Sequence, residues 1–280
     1  MSTPSTSSPT APFPSFEERR KANQPVALTI EAKRIFWKLQ GPLPDNVSVT
    51  RDWRNRESPR EPFAHHDSEG NITRWHPVAQ APLTEPKVGS VTVSVDVLER
   101  WQDQWLERHE RHAHPGDTNN VFGELDAELY EESGEEGSED EDEGPQLLRC
   151  CNTDRPRRAP RLVVKPSSTE GYVTVRDHIS TVHLWLLGQR EDIIQADNVW
   201  DDKKPAHYER LAVSFAWPDG LHIMNEERYV SLLAPRKTVV VDTATAPLIE
   251  RMRQNPPRPF NYQNLYRASS DPDQGSQARQ

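Results

Sequence analysis

The sequence predicts an α+β fold in which a small antiparallel or mixed sheet is covered by one or two amphipathic helices. Three observations predict this class. Apolar residues alternate with polar ones along several short runs, two longer segments repeat apolar residues every three or four positions, and turn residues separate the short runs. Strands and helices that follow one another without a strict βαβ alternation favour the α+β class.

The first strand-to-helix unit is VTVSVDVLERWQDQWLERHERH, residues 91–112. Valines alternate with polar residues from Val91 to Val97, which predicts a half-buried strand. Asp96 followed by Glu99 resembles a capping box. The apolar residues that then recur at helical spacing predict a helix to about residue 112, and they are Leu98, Trp101 and Trp105.

The second unit is YVTVRDHISTVHLWLLGQREDIIQA, residues 172–196. A short strand is predicted at VTV, followed by a helix over residues 177–196, for which Thr174 and Asp177 are the predicted capping pair. His183 is predicted to be a histidine at the edge of the core, because a ring on an apolar face usually packs its body and hydrogen-bonds its tip. Four residues share that face: Ile179, Val182, Leu186 and Ile193. Both units begin with VTV, so an internal duplication stays open.

The chain after the second unit is predicted to form strands. LAVSFAWPDGLHIMN, residues 211–225, contains two apolar runs split by a turn from Trp217 to Gly220, as in a hairpin. Two further strands are predicted, YVSLL from Tyr229 to Leu233 and TVVVD from Thr238 to Asp242. These elements define a predicted α+β domain over residues 160–253.

The segment over residues 25–113 is predicted to be a proline-broken α+β region. It is interpreted either as a second layer that packs on the domain at residues 160–253 or as a separate small domain. Within it, Ile35, Phe36 and Leu39 predict a short amphipathic element, whereas residues 41–88 are mostly polar and interrupted by prolines.

Three other segments are predicted to be disordered: a Ser/Thr/Pro-rich tail (1–24), an acidic linker (114–148) and a Pro-rich tail (254–280). Residues 121–145 contain 12 Asp or Glu and no Lys or Arg. The negative charge of this tract alone is therefore larger than the net charge of −10 of the whole chain. The tract is interpreted as a solvated spacer, as a tail for a basic protein partner, or as a phosphorylation segment. Ser133 and Ser138 are the phosphorylation candidates, since each has a carboxylate three residues downstream.

The segment VTVRDHISTVHLWLLGQREDI resembles a strand-to-helix motif of domains of unknown function that are widespread in fungal proteomes. The similar residues include His183, Trp185 and Leu186. The resemblance implies a fungal intracellular protein and implies no activity.

Motifs for catalysis and for cofactors are missing from the sequence. There is no GxxxxGK[ST] or GxGxxG phosphate loop, no GxSxG elbow and no HExxH helix. The sequence therefore predicts no cofactor. An enzyme on an unfamiliar fold, with a pocket lined by histidine and tryptophan, is kept as the alternative; His178 and His183 would need a partner such as Asp177 or Asp219.

Metal binding is not predicted either, although the chain has ten histidines. Imidazoles three apart on a helix can share a metal, but a helical stripe explains the same residues. The candidates considered are His109, His112, His114, His65, His66, Asp67 and His76. Cys150 and Cys151 are adjacent, so a disulfide between them is an alternative but would be strained. They are interpreted as two reduced thiols, which places the protein in the cytosol or nucleus.

The predicted function is a non-enzymatic interaction or scaffold module. Trp185 is one candidate for partner binding, since tryptophan is enriched at binding hot spots. Arg253, Pro256 and Pro259 are another, because they match the R-x-x-P-x-x-P pattern of polyproline II ligands. Nucleic acid is a weak candidate, because the chain outside the acidic tract is nearly neutral. Membrane insertion is not predicted, because no apolar run approaches about 18 residues.

Overall fold

The computed structural model describes residues 13–55, 58–114, 119–125 and 144–232, and these form a mixed α+β structure. The helices are α1 (Phe16–Lys21), α2 (Ile30–Lys33), α3 (Leu43–Asn46), α4 (Asp96–Glu99), α5 (Trp101–Glu110), α6 (Val175–Gly188), α7 (Arg190–Asp197) and α8 (Glu226–Leu232). The first strands are β1 (Ala27–Leu28), β2 (Ile35–Lys38), β3 (Val47–Thr50), β4 (Arg60–Pro62), β5 (Ala64–His66), β6 (Ile72–Trp75) and β7 (Thr84–Glu85). The later strands are β8 (Val91–Val95), β9 (Val121–Gly123), β10 (Gln146–Cys150), β11 (Thr153–Asp154), β12 (Leu162–Val164), β13 (Leu211–Ser214) and β14 (Gly220–Asn225).

Seven strands form the main sheet, in the order β12-β8-β14-β13-β2-β3-β4. The pairing of β14 with β8 is parallel, and the neighbouring pairs on either side are antiparallel. Strands from residues 35–62 and from residues 162–225 therefore share one sheet. The N-terminal region thus contributes to the same core as the predicted C-terminal domain.

Helix α6 begins with the predicted capping pair. The Thr174 hydroxyl accepts from the Asp177 backbone N–H (3.1 Å), and the Asp177 carboxylate accepts from the Thr174 N–H (2.9 Å). The predicted apolar face is buried at each of its four residues. Two details differ. Residues 173–175 form no strand, since Val175 starts the helix, and the helical segment is divided at Gln189 into α6 and α7.

The hairpin prediction for residues 211–225 is confirmed, because β13 and β14 pair antiparallel around the turn. The first unit is also confirmed as a strand followed by helices, β8, α4 and α5. The predicted capping box there is wrong, because the N-cap residue is Val95 and makes no side-chain cap. Asp96 instead pairs with Arg100 (2.5 Å) and His222 (3.1 Å).

Two predictions of local structure near residues 35 and 229 are corrected. The run with Ile35 and Phe36 is strand β2, whose first three residues are buried, because β2 lies between β3 and β13 inside the sheet. The run from Tyr229 belongs to helix α8, in which Tyr229 is buried against Phe36. The predicted strand at residues 238–242 lies outside the described residues.

Two segments predicted to be disordered contain regular structure. In the 1–24 segment, Ser15 and Glu18 form a capping box that starts helix α1, and Phe16 is buried in the main core. In the 114–148 segment, β9 pairs with β10 antiparallel. Apolar residues such as Phe16 and Leu147 explain both outcomes, since each offers a side chain that the core can bury.

A second sheet has three strands, in the order β11-β10-β9. It packs against helix α5 through a small cluster in which Trp105, Leu147 and Cys150 are buried. None of the helices in the described ranges is long and apolar enough to cross a membrane.

Candidate metal centre

Four metal-ligating side chains meet where helix α5 contacts the three-stranded sheet. One ligand atom from each of His109, His112, Cys150 and Cys151 lies within 4.8 Å of all the others. His109 and Cys150 are buried, whereas His112 and Cys151 are exposed. We call these four residues the Cys2His2 cluster.

The histidines reach the cluster from the end of helix α5. His109 lies in its last turn, and His112 follows on the turn after the helix, where its backbone N–H donates to the His109 carbonyl (3.2 Å). The spacing of three residues places both rings on one side of the helix. Their facing nitrogens, His109 Nδ1 and His112 Nε2, are 3.2 Å apart.

The cysteines reach the cluster from a tight hairpin between β10 and β11. Cys150 pairs with Thr153, so the loop has two residues, Cys151 and Asn152. Both have positive φ, 51° and 60°, as a type I′ hairpin turn requires. Glycine and asparagine usually occupy such positions, and a left-handed residue with a Cβ costs about 1–2 kcal/mol. A cysteine at this place is therefore unfavourable for the backbone, which is a cost that ligation of a metal would explain.

Two distances within the cluster, between the two sulfurs and between the two nitrogens, agree with a tetrahedral zinc site, whereas the longest separation does not. Zinc bonds of about 2.3 Å to sulfur and about 2.0–2.1 Å to nitrogen place two sulfurs about 3.8 Å apart and two nitrogens about 3.3 Å apart. The Sγ atoms of Cys150 and Cys151 are 3.8 Å apart, and the two imidazole nitrogens are 3.2 Å apart. The longest separation, at most 4.8 Å, would need to shorten by about 1 Å on binding, because sulfur and nitrogen ligands of zinc lie about 3.5 Å apart.

A Cys–His catalytic dyad is the alternative interpretation of the same contacts. His112 Nε2 lies 3.1 Å from Cys151 Sγ, which is within reach for proton transfer. However, the same nitrogen also faces His109 Nδ1. In a dyad the orienting group contacts the other ring nitrogen. Two ligand atoms that approach one nitrogen indicate instead that all of them point to a common centre, as the ligands of a metal do.

Residues around the cluster connect its helical and hairpin ligands. The Trp105 Nε1–H donates to Thr153 Oγ1 (3.1 Å), and the Thr153 hydroxyl donates to the Cys150 carbonyl (2.8 Å). The Trp105 ring also packs against the His109 ring, with centroids 4.6 Å apart. Trp105 therefore fixes both a histidine ligand and the hairpin, as groups around metal ligands commonly do.

The electrostatic surroundings favour a neutral His109. Burial lowers the pKa of His109 from its ordinary value, and the nearby His112 and Arg108 lower it further. A neutral imidazole has the lone pair that a metal requires.

A groove of about 700 Å³ adjoins the cluster, and Cys151 and His109 form part of its wall. Its other walls come from helices α5 and α7 and from the segment after β11, including Trp101, Arg155, Glu191 and Asn198. The exposed thiol of Cys151 is thus accessible to small molecules in solvent.

The remaining histidines considered from the sequence do not join this cluster. His66 pairs with Asp45 (3.2 Å), His65 contacts Arg74 (2.9 Å), and His76 accepts from the Val78 N–H (3.1 Å). His114 is exposed beyond the helix, and Asp67 accepts hydrogen bonds within its own turn.

His178 and His183 are buried in the main core and away from any groove described here. His183 packs its ring and hydrogen-bonds its tip as predicted, but it is 2% exposed and so lies inside the core and not at its edge. Trp37 Nε1–H donates to its Nδ1 (2.9 Å), and its Nε2–H donates to the Gly41 carbonyl (2.7 Å). His178 lies between the rings of Trp37 and Phe215, and within the described residues neither of its ring nitrogens has a hydrogen-bond partner.

The carboxylates considered as catalytic partners serve other contacts. Burial opposes ionisation of Asp177, but hydrogen bonds from Ser167 and Thr174 outweigh it and hold its pKa below the usual value. Asp219 forms an ion pair with Arg20 (3.0 Å). Neither pairs with a buried histidine in the described contacts.

Among the predicted partner-binding residues, Trp185 is partly buried against the main core, and its neighbour Leu184 is 74% exposed. The other candidates, Arg253, Pro256, Pro259, Ser133 and Ser138, lie outside the described residues. Sequence reasoning missed Cys150 and Cys151 as ligands. The adjacent pair and the His-x-x-His spacing were visible, but their proximity depends on the pairing of β9 with β10 across the acidic tract.

Comparisons with protein-family models, with curated proteins and with solved structures found no match for this chain. The resemblance of residues 173–193 to fungal domains therefore stays an expectation. The geometry of the Cys2His2 cluster is the main guide to function.

Proposed function

We propose that this chain binds one zinc ion through His109, His112, Cys150 and Cys151, and that the ion holds the three-stranded sheet on helix α5. The observation that supports this most is the approach of four ligand atoms to within 4.8 Å of one another, from two elements distant in sequence. Two sulfurs and two nitrogens in a tetrahedral arrangement are typical of structural zinc. This proposal reverses the sequence-based expectation that no metal is bound.

The proposed role of the ion is structural and not catalytic. Catalytic zinc sites keep one position for water or substrate, whereas four protein ligands fill the coordination sphere. This supports the non-enzymatic interaction or scaffold module that the sequence suggested over the alternative of an enzyme. A site that depends on two thiolates also fits a reducing compartment, and we propose the cytosol or nucleus.

Metal analysis of the full chain, purified under reducing conditions, tests the proposal. We expect one zinc per chain by mass spectrometry of the metal, and visible absorption bands of a tetrahedral thiolate complex when Co²⁺ replaces zinc. His112→Ala should lose stoichiometric zinc. His114→Ala is the matched control, because His114 lies two residues further along the chain but outside the cluster.

Two outcomes would contradict zinc binding. One is a reduced wild-type chain that takes up neither zinc nor cobalt. The other is His112→Ala with full zinc content. Circular dichroism of each variant establishes that the main sheet is folded, so a loss of metal is not mistaken for a loss of structure.

A further inference from the structure

We propose that Cys151 is an oxidation site for peroxide and that Cys150 is its resolving thiol, so that oxidation releases the metal. This inference rests on the proposed zinc site and adds a modification that controls it. The observations that support it are the adjacency of the two thiols, their separation of 3.8 Å, and their unequal exposure.

Exposure decides which sulfur reacts first. Cys151 is exposed and borders the groove, whereas Cys150 is 1% exposed and belongs to the small apolar cluster. A metal-bound cysteine is a thiolate, which is the nucleophilic form of the residue. An accessible thiolate next to a second thiol is the usual arrangement of a redox-sensitive cysteine.

The chemistry has two steps and needs only a peroxide as oxidant. The Cys151 thiolate attacks one peroxide oxygen, an S–O bond forms, the O–O bond breaks, and the leaving hydroxide takes a proton to become water. The Cys150 thiolate then attacks the Cys151 sulfur, the S–S bond forms, and the S–O bond breaks with release of a second water. The two thiolates lose two electrons in total, and hydrogen peroxide with two protons gains them.

Oxidation removes both sulfur ligands together. The two histidines that stay are insufficient for a tetrahedral site, so the ion leaves. Among the described contacts, the Trp105–Thr153 hydrogen bond and the small apolar cluster then remain between helix α5 and the β10–β11 hairpin. A reducing agent together with zinc should restore the original state.

The experiment uses the zinc-loaded full chain and hydrogen peroxide. A chromogenic chelator reports released zinc, and intact mass spectrometry reports the loss of two hydrogens from a monomer. We expect one zinc released per chain, and a peptide map that places the new disulfide between Cys150 and Cys151. Dithiothreitol with added zinc should reverse both changes.

The variant Cys151→His separates the oxidation proposal from the zinc proposal. Histidine tolerates positive φ better than most residues and can replace a zinc ligand, but it cannot form the disulfide. The zinc content of this variant is measured before peroxide is added, and we expect peroxide to release a smaller fraction of that zinc than it releases from the wild type. Equal release from both proteins would overturn the proposal.

Two results on the wild type would also overturn it, even if the variant failed to bind metal. One is zinc that stays bound while peroxide oxidises thiols elsewhere or not at all. The other is a disulfide that joins two chains and not Cys150 with Cys151. A chain that binds no zinc from the start would instead contradict the proposed function.

Discussion

The seven-stranded sheet and the three-stranded sheet of this chain differ in what holds them in place. In the main sheet, strand β8 presents Val91, Val93 and Val95 to the core with no exposed surface, and helix α6 adds a buried face. Between the three-stranded sheet and helix α5, the described structure has a small apolar cluster, in which Trp105 of the helix and Leu147 and Cys150 of the sheet are buried. Small units with little apolar burial commonly depend on a metal or a disulfide.

The difference teaches where function should be sought in this molecule. The main sheet already has an apolar core sufficient to order it, so its buried histidines are best explained as packing residues. The small sheet has little core, and within the described residues the Cys2His2 cluster lies where this sheet meets helix α5. The comparison predicts that the two sheets respond to different perturbations.

The largest expected effect is on the main sheet, from Leu186→Ala. Leu186 has no exposed surface, so its truncation loses transfer free energy and leaves a cavity, at a cost of about 2–5 kcal/mol. Chemical denaturation measures the free energy of unfolding. Leu184→Ala on the same helix is the control, because Leu184 is 74% exposed and its loss should stay within about 0.5 kcal/mol.

Equal effects of these two variants would show that helix α6 does not cover the sheet through its Leu186 face.

The zinc content of Leu186→Ala tests whether the three-stranded sheet is independent of the main core. Folded Leu186→Ala protein should keep its full zinc stoichiometry, because Leu186 belongs to the main core and not to the small apolar cluster beneath helix α5.

The main core could be predicted from the sequence to a large extent, because its signals are local. Thr174 and Asp177 predict the start of helix α6, and the spacing of Ile179, Val182 and Leu186 predicts its buried face. Each of these patterns involves residues only a few positions apart in the sequence. The strand prediction at Tyr229 is wrong because a mostly apolar run of five residues fits either a strand or a helix turn.

The Cys2His2 cluster could not be predicted from local patterns, because it brings together residues that are distant in sequence. His109 and Cys150 are 41 positions apart, with the acidic tract between them. The β9–β10 pairing that accompanies their approach spans the acidic tract, and β9 (Val121–Gly123) has only three residues, too few for a strand pattern to be recognised. Neither the histidine pair nor the cysteine pair alone is specific for a metal.

The second prediction concerns acid stability and His178. Burial alone lowers the pKa of His178 from 6.5 to about 4. The unfolded chain therefore binds a proton at pH values where the folded chain does not, so stability is full above pH 6.5 and falls as the pH is lowered toward 4. Each pH unit costs about 1.4 kcal/mol, or roughly 3 kcal/mol across the window. Burial also lowers the pKa of His183, which acts in the same direction.

Denaturation curves between pH 4 and pH 7 measure this loss. His178→Leu removes the titrating ring and should give a shallower pH dependence. The stability of His178→Leu at pH 7 should be equal to that of the wild type or higher. The substitution removes the two buried ring nitrogens of His178, which have no hydrogen-bond partner in the described structure. A pH dependence as steep as that of the wild type would mean that His178 is not the group responsible.

The smallest expected effect concerns the hairpin of the three-stranded sheet. Cys151 has a φ of 51°, so Cys151→Gly should stabilise the metal-free hairpin by about 1–2 kcal/mol while abolishing zinc binding. Amide exchange of residues 146–154 in the presence of a chelator measures the gain. It should slow by a factor of about 5–30.

Cys151→Ser is the matched control for the hairpin. It also loses a zinc ligand, but it keeps a side chain in the left-handed conformation, so no gain is expected. If the glycine and serine variants exchange at the same rate, the conformation of Cys151 has no cost, and one reason to regard it as a selected ligand is removed.

The pairing of Gly123 with Gln146 has a consequence for how this chain can change. The polypeptide leaves the three-stranded sheet after Gly123 and returns to it at Gln146. Because these two residues are paired across adjacent strands, the two ends of the segment 124–145 lie close together. Loop closure costs only about 0.6 kcal/mol for each doubling of length. Insertions and deletions between these two positions should therefore accumulate readily during evolution. The net charge of −10 can change with them, since residues 124–145 contain 12 acidic residues. The same position is a natural point for inserting a reporter domain.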